Sequence, residues 1–175
     1  MICNIEIPHK AYSVNAMFYR DGRRKKQEAV QWERTIANYL RDEDIQEQLE
    51  NIRANFDPKK HCIQVSLIFE FPKEILITKV GAMSSKAFDL SNIEKPLIDV
   101  IFLPSHSSKT CKNLELDDKY VSKLTSAKVP STRHSIRICI ELLPLQQLLD
   151  NMSAMDPTKT SQDPECQDHQ DKEQL

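Results

Sequence analysis

The residues with the most chemistry in this chain form a polar cluster split over two short segments. The first reads Asp89-Leu90-Ser91-Asn92-Ile93-Glu94-Lys95 and is followed by Asp99; the second reads Leu114-Glu115-Leu116-Asp117-Asp118-Lys119-Tyr120-Val121. Carboxylates with a lysine a helical turn away are what a magnesium-dependent cut in a phosphodiester needs. Hard cations such as Mg²⁺, or Mn²⁺ in its place, take one or two carboxylates and fill the rest of their shell with water and phosphate oxygens. A nearby ammonium neutralises charge that develops on the transferred phosphate.

The elements that must position these groups are legible in the apolar periodicity. Residues 91–103 read as a helix with Ile93, Leu97, Val100 and Ile101 on one face, and Asn92, Lys95 and Asp99 follow at i, i+3 and i+7 on another. The plainer reading of the same residues is a solvated helix face, with Ser91-x-x-Glu94 as a capping box and Asp89 as an acid near the positive helix end. Pro96, about five residues in, removes a backbone hydrogen bond and favours a bend. Asp117-Asp118 enters a strand, where Asp commonly makes local turn hydrogen bonds. Adjacent side chains in extended chain face opposite ways, so one of the two acids is expected toward the first cluster and the other toward water.

Around these segments, 2–7 reads as a short strand ended by Pro8, and 8–24 as a long connection. Residues 26–52 read as helix, with a break at Arg41-Asp42-Glu43-Asp44. Residues 61–71 alternate as a strand, 75–80 form a weaker one, and Tyr120–Lys128 and Ser135–Leu143 pair as an antiparallel hairpin across Val129-Pro130-Ser131-Thr132. Leu145–Asp150 adds a helical turn. The order β-α-β-β-α-β-β predicts an α+β fold, a mixed and largely antiparallel sheet with two helices on one face. One domain spans 1–150, and 151–175 is an acidic tail too poor in apolar residues to fold.

The overall net charge of -2 conceals an asymmetry. Residues 151–175 hold Asp156, Asp163, Glu165, Asp168, Asp171 and Glu173 against Lys159 and Lys172, which leaves 22 basic and 20 acidic residues in 1–150. A mildly basic domain permits nucleic-acid binding without demanding it. The run Tyr19, Arg20, Arg23, Arg24, Lys25, Lys26, preceded by Asn15 and Phe18, places cations beside aromatics, an arrangement suited to phosphates and unpaired bases; its plainer reading is a solvated loop. Lys109 and Lys112, between the two acidic segments, and Lys119, Lys123, Lys128, Arg133 and Arg137 around the last strands extend the candidate DNA surface. No stretch approaches the roughly 18 apolar residues of a membrane span, and Met1–Glu6 lacks a signal-peptide layout. Cys3, Cys62, Cys111, Cys139 and Cys166 are an odd number at scattered spacings, and the histidines show no i, i+4 pairing. Reduced thiols in a cytoplasm are expected, and a structural zinc site is not.

Taken in order, the segments resemble the RusA-like Holliday junction resolvases, common in bacteriophages and prophages. Members carry an Asp-Leu-Asp-Asn or similar motif, a lysine three residues after the asparagine, an aspartate four residues past the lysine, and later a hydrophobic-Asp-Asp segment leading into a strand. Here these read Asp89-Leu90-Ser91-Asn92, Lys95, Asp99 and Leu116-Asp117-Asp118 with Val121, and Ile7-Pro8, Asn15 and Tyr19-Arg20 are similar to the family's early segment. The resemblance covers roughly 2–142. It implies a homodimeric, Mg²⁺- or Mn²⁺-dependent endonuclease that nicks two opposed strands of a four-way DNA junction. By it, Asp89 and Asp118 are metal-binding carboxylates, Asp117 an accessory or alternative one, and Lys95 the charge stabiliser at the scissile phosphate. Asn92 orients the first motif, and Asp99 and Ser91 support it. Ser91 departs from the better-known pattern, which has a third aspartate there; serine supplies a hydroxyl but no charge, and lower metal affinity is expected. Two other readings stay open: a domain that binds branched DNA without cutting it, and an interaction domain that works through its acidic tail.

Overall fold

The strand with the cleanest alternation, His61–Pro72, lies inside the sheet. Ile63, Val65, Leu67, Phe69 and Phe71 are buried, while Gln64, Ser66, Ile68 and Glu70 between them are half-exposed. A period of two sends one set to a dry face and the other to a wetter one. The computed structural model describes residues 1–20, 22, 24–85, 87–102 and 113–154, the last four by backbone alone. Its four strands are β1 (Ile2–Ile7), β2 (His61–Pro72), β3 (Val121–Ser131) and β4 (Ser135–Pro144), in the order β1-β4-β2-β3. β4 pairs antiparallel with β1 and β2, and β3 pairs parallel with β2.

The register places like with like. Cys3, Ile5 and Ile7 oppose Ile140, Ile138 and Ile136, which in turn oppose Val65, Leu67 and Phe69. Onto this face α2 (Gln27–Tyr39), α3 (Glu43–Asn55) and α5 (Leu90–Phe102) send Trp32, Ile36, Leu49, Ile52, Ile93, Leu97 and Ile101 into one core. Each large apolar side chain buried this way contributes about 1.5–3 kcal/mol. The short α1 (Val14–Met17) and α4 (Lys73–Leu76) add Met17 and Leu76, and α6 (Leu145–Ala154) follows β4. The fold is therefore α+β with a mixed sheet, mostly antiparallel in its pairings. No helix among the described residues is long and apolar enough to cross a membrane.

Three local expectations are corrected. The break expected at Arg41-Asp42-Glu43-Asp44 divides 26–52 into two helices, because the chain turns at Leu40–Asp42 and the Asp42 carboxylate accepts from the Asp44 and Ile45 N–H groups to start α3. Three helices rather than two thus cover the sheet. No strand forms over 75–80: Lys73–Leu76 makes a turn of helix after Pro72, and only Ile77 bridges to Met83. Gly81, at φ 83°, reverses the chain there, and Val80 is left 89% exposed. Finally, β3 and β4 are not neighbours, since β2 lies between them. Residues 132–134 supply about 10 Å of extended chain, enough to step over one strand at about 4.8 Å per spacing. β2, buried on its core face from end to end, takes the interior place, and β3, with Lys123, Leu124 and Thr125 exposed, takes the edge. Pro130, which has no N–H to offer a further strand, suits that edge. Residues 155–175, and with them most of the tail expectation, lie outside the described residues.

Candidate functional site

The polar stripe of α5 exists because the opposite side of the helix is apolar. Ile93, Pro96, Leu97, Ile98, Ile101 and Phe102 are buried, which turns Asn92, Lys95 and Asp99 outward along one line. The helix runs through Pro96 without ending. Its first residue is Leu90, so Asp89 stands immediately before it and Ser91 is already its second residue. The expected capping box is thus not how the helix begins. The Asp89 carbonyl accepts the Asn92 N–H at 3.2 Å, and the Asp89 carboxylate accepts from the Asn92 side-chain amide at 3.3 Å. Glu94, which a capping box would turn back toward the helix start, instead accepts a hydrogen bond from the Ser126 hydroxyl on β3. Lys128 of the same strand donates to the Phe88 carbonyl at 2.8 Å and fixes the chain just ahead of Asp89.

Lys95 reaches Asp99 at 3.0 Å, an i, i+4 ion pair with the lysine side chain 66% exposed. The Asp99 hydrogen bond and charge, and to a smaller extent the charge of Asp118, hold the Lys95 ammonium above its ordinary pKa. Lys95 is therefore fully protonated at neutral pH. It stands six residues from Asp89, about 9 Å of helical rise.

The segment that carries Asp118 reaches α5 through a chain of anchors around the end of that helix. The Leu114 N–H donates to the Ile101 carbonyl at 2.9 Å and the Asn113 amide donates to the Val100 carbonyl, which satisfies carbonyls that a helix end leaves open. Glu115 then takes a left-handed backbone, φ 54°, and its carboxylate is held by Arg53 of α3 at 3.1 Å. That conformation costs a non-glycine residue about 1–2 kcal/mol. It reverses the chain so that Asp117 caps a 3₁₀ turn, Asp118–Tyr120, packed against α5. Asp117 accepts from the Lys119 N–H at 3.0 Å and pairs with the Lys119 ammonium at 2.8 Å, which together hold its carboxyl below the usual range. The two acids are not strand neighbours facing opposite ways: both lie at a turn, where the exposed Asp117 pairs with Lys119, Asp118 is half-buried, and Asp118 also acts on the Asp117 carboxyl. Arg53 and Glu115 were missed in the sequence because they lie 62 positions apart and neither has a motif.

The described residues of the basic segment turn the chain back on itself. Phe18 bridges Lys25, the Lys26 N–H donates to the Met17 carbonyl at 2.7 Å, and Gly22 supplies the reversal at φ 67°. At its tip Arg24 lies over the Tyr19 ring, 5.5 Å from the centroid. Tyr19, Arg20 and Asn15 are exposed, whereas Lys25 is spent on an ion pair with Glu33. Arg23, Lys109 and Lys112 lie outside the described residues.

No group of three or more His, Cys, Asp or Glu side chains is gathered as a metal cage among the described residues. Asp89, just before α5, and Asp118, on the 3₁₀ turn, stand as separate carboxylates. That donor chemistry fits a hard cation, which uses few protein ligands and many waters, and does not fit a closed four-ligand site. No protein-family model and no curated protein matches the chain.

Proposed function

We propose that this chain is a metal-dependent, structure-selective DNA endonuclease that nicks four-way junctions. The observation that supports this reading is the packing of the 3₁₀ turn that carries Asp118, some twenty residues downstream, against α5, whose stripe carries Asn92 and Lys95 and is preceded by Asp89. Asp89 and Asp118 would hold Mg²⁺ or Mn²⁺, with Asp117 accessory once released from Lys119; the ion would supply Lewis acidity toward a phosphate oxygen. Lys95 contributes a fixed positive charge for the phosphate, and Asp99 orients that ammonium. Asn92 holds the Asp89 carboxylate. Asn15, Tyr19, Arg20 and Lys26 contact the DNA outside the cut. Paired nicks need two sites, which a two-fold homodimer supplies.

A second reading is favoured by two specific observations. Ser91 brings no charge to the first motif, and Lys95 is already paired with Asp99 at 3.0 Å. On this reading the domain binds branched DNA without cutting it.

The test is cleavage of a labelled synthetic four-way junction in Mg²⁺ or Mn²⁺, with linear duplex as control. Symmetric nicks confined to the junction, lost in Asp89→Asn and Asp118→Asn while binding persists, support the nuclease. Junction binding with no nick in either metal rejects it in favour of the second reading, and Ser91→Asp is then the variant to examine for restored cutting. Neither cutting nor preferential junction binding rejects both.

A further inference from the structure

A cleft of about 400 Å³ lies away from the α5 stripe, between α2 and the segment that follows β1. Its volume falls in the range of small-molecule sites, about 300–1,000 Å³. One wall is a face of α2, where Glu28, Gln31 and Trp32 follow at helical spacing; the other is His9, Lys10 and Tyr12. The two walls are fixed to each other. The Trp32 indole N–H donates to the Lys10 carbonyl at 2.8 Å, and the Tyr12 and Trp32 rings lie 5.9 Å apart at 36°.

The lining combines three kinds of group. Tyr12 is half-buried and offers ring surface. Glu28 and Gln31 offer a carboxylate and an amide from one side of the helix. Lys10 brings a positive charge to the rim, and His9 beside it offers a polar ring. Aromatic surface, directional acceptors and an adjoining cationic rim are the requirements of a heterocyclic base carrying a phosphate. We infer that this cleft binds a nucleotide, its base against Tyr12 with its N–H edge toward Glu28 and Gln31, and its phosphate at Lys10 and His9. A carboxylate only accepts hydrogen bonds, so the site favours guanine, which has two adjacent N–H donors on one edge, over thymine. The same chemistry is available from a free nucleotide or from an unpaired residue of a nucleic-acid strand. The inference does not rest on the nuclease reading.

Trp32 is the only tryptophan of the chain, so its fluorescence reports on this cleft. The full chain is titrated with GMP, TMP, guanosine, inorganic phosphate and a short single-stranded guanine-containing oligonucleotide. Saturable quenching by GMP, weaker with TMP, supports the site and assigns a free nucleotide; saturation by the oligonucleotide alone supports it and assigns a strand. Glu28→Gln, at an exposed position, is expected to abolish the GMP-over-TMP preference. Lys10→Gln, also exposed, is expected to weaken GMP roughly tenfold while leaving guanosine unchanged. Equal quenching by phosphate alone, GMP binding untouched by either variant, or no saturable response to any probe would overturn the inference. Junction cleavage by the Glu28→Gln variant, measured alongside, separates failure here from failure of the nuclease reading.

Discussion

Single residues on the α5 stripe are tuned by their neighbours in space, and Lys95 shows how. Asp99 beside it, and Asp118 beyond, raise its pKa above the ordinary lysine value of about 10.4. A folded-state pKa above the unfolded one means that the pairing stabilises the fold fully below the unfolded pKa and is lost as pH rises through the folded value. Lys95 is thus expected to keep its proton throughout the neutral range. Replacing Asp99 by Asn is expected to bring the Lys95 titration down toward the ordinary value. Following the Lys95 ¹³Cε resonance against pH in both proteins checks this, and an unmoved midpoint would show that Asp99 does not set the charge of Lys95. Under the nuclease proposal, Lys95→Ala is expected to reduce cleavage by about 10²–10³-fold, the usual cost of one stabilising donor. Because the side chain is mostly exposed, thermal stability is expected to change by less than about 0.5 kcal/mol.

Among the elements, caps and turns carry consequences out of proportion to their length. Asp42 separates α2 from α3, accepting from two N–H groups at 3.1 and 3.4 Å. Asp42→Ala is expected to destabilise the fold by about 0.5–2 kcal/mol. Urea unfolding should show a lower midpoint at an unchanged slope; an unmoved midpoint would mean that the α2–α3 break is set by packing of Leu40 and Leu49 instead. The α5–β3 connection is the more consequential element for the site. Its anchors to Val100 and Ile101, the left-handed Glu115 and the Arg53 pair decide where Asp118 stands. The break at Asp42 was readable, because Asp followed by a run of acids is an N-terminal signal. The role of Glu115 was not, since a positive φ at glutamate has no local signature.

For the molecule as a whole, the useful quantity is the distribution of charge. The basic turn carries Arg20 and Lys26 at the start of α2, on a domain whose net charge is only slightly positive. Under the nuclease proposal, binding to a junction should depend on local phosphate contacts, and each lost contact should be visible in salt dependence. Arg20→Ala and Lys26→Ala are each expected to reduce the slope of log K against log salt by about 0.9. Slopes equal to wild type in both variants would remove this turn from the DNA surface.

The sequence by itself determined the helices and strands whose periodicity is strong: α5 with its outward Asn92, Lys95 and Asp99, and β2 with its alternating core. These depend on side-chain spacing within one segment, which a 3.6- or two-residue period exposes directly. The tertiary structure decided what depends on contacts between distant segments. β2 entered between β3 and β4 because the strand with the longest unbroken apolar face belongs inside the sheet, and turn residues alone do not encode that competition. The Asp118 turn came to α5, Glu94 to Ser126, and Lys10 to Trp32, across 22 to 32 residues or through a third element. Such pairings are fixed by packing of the shared core, and no local pattern records them.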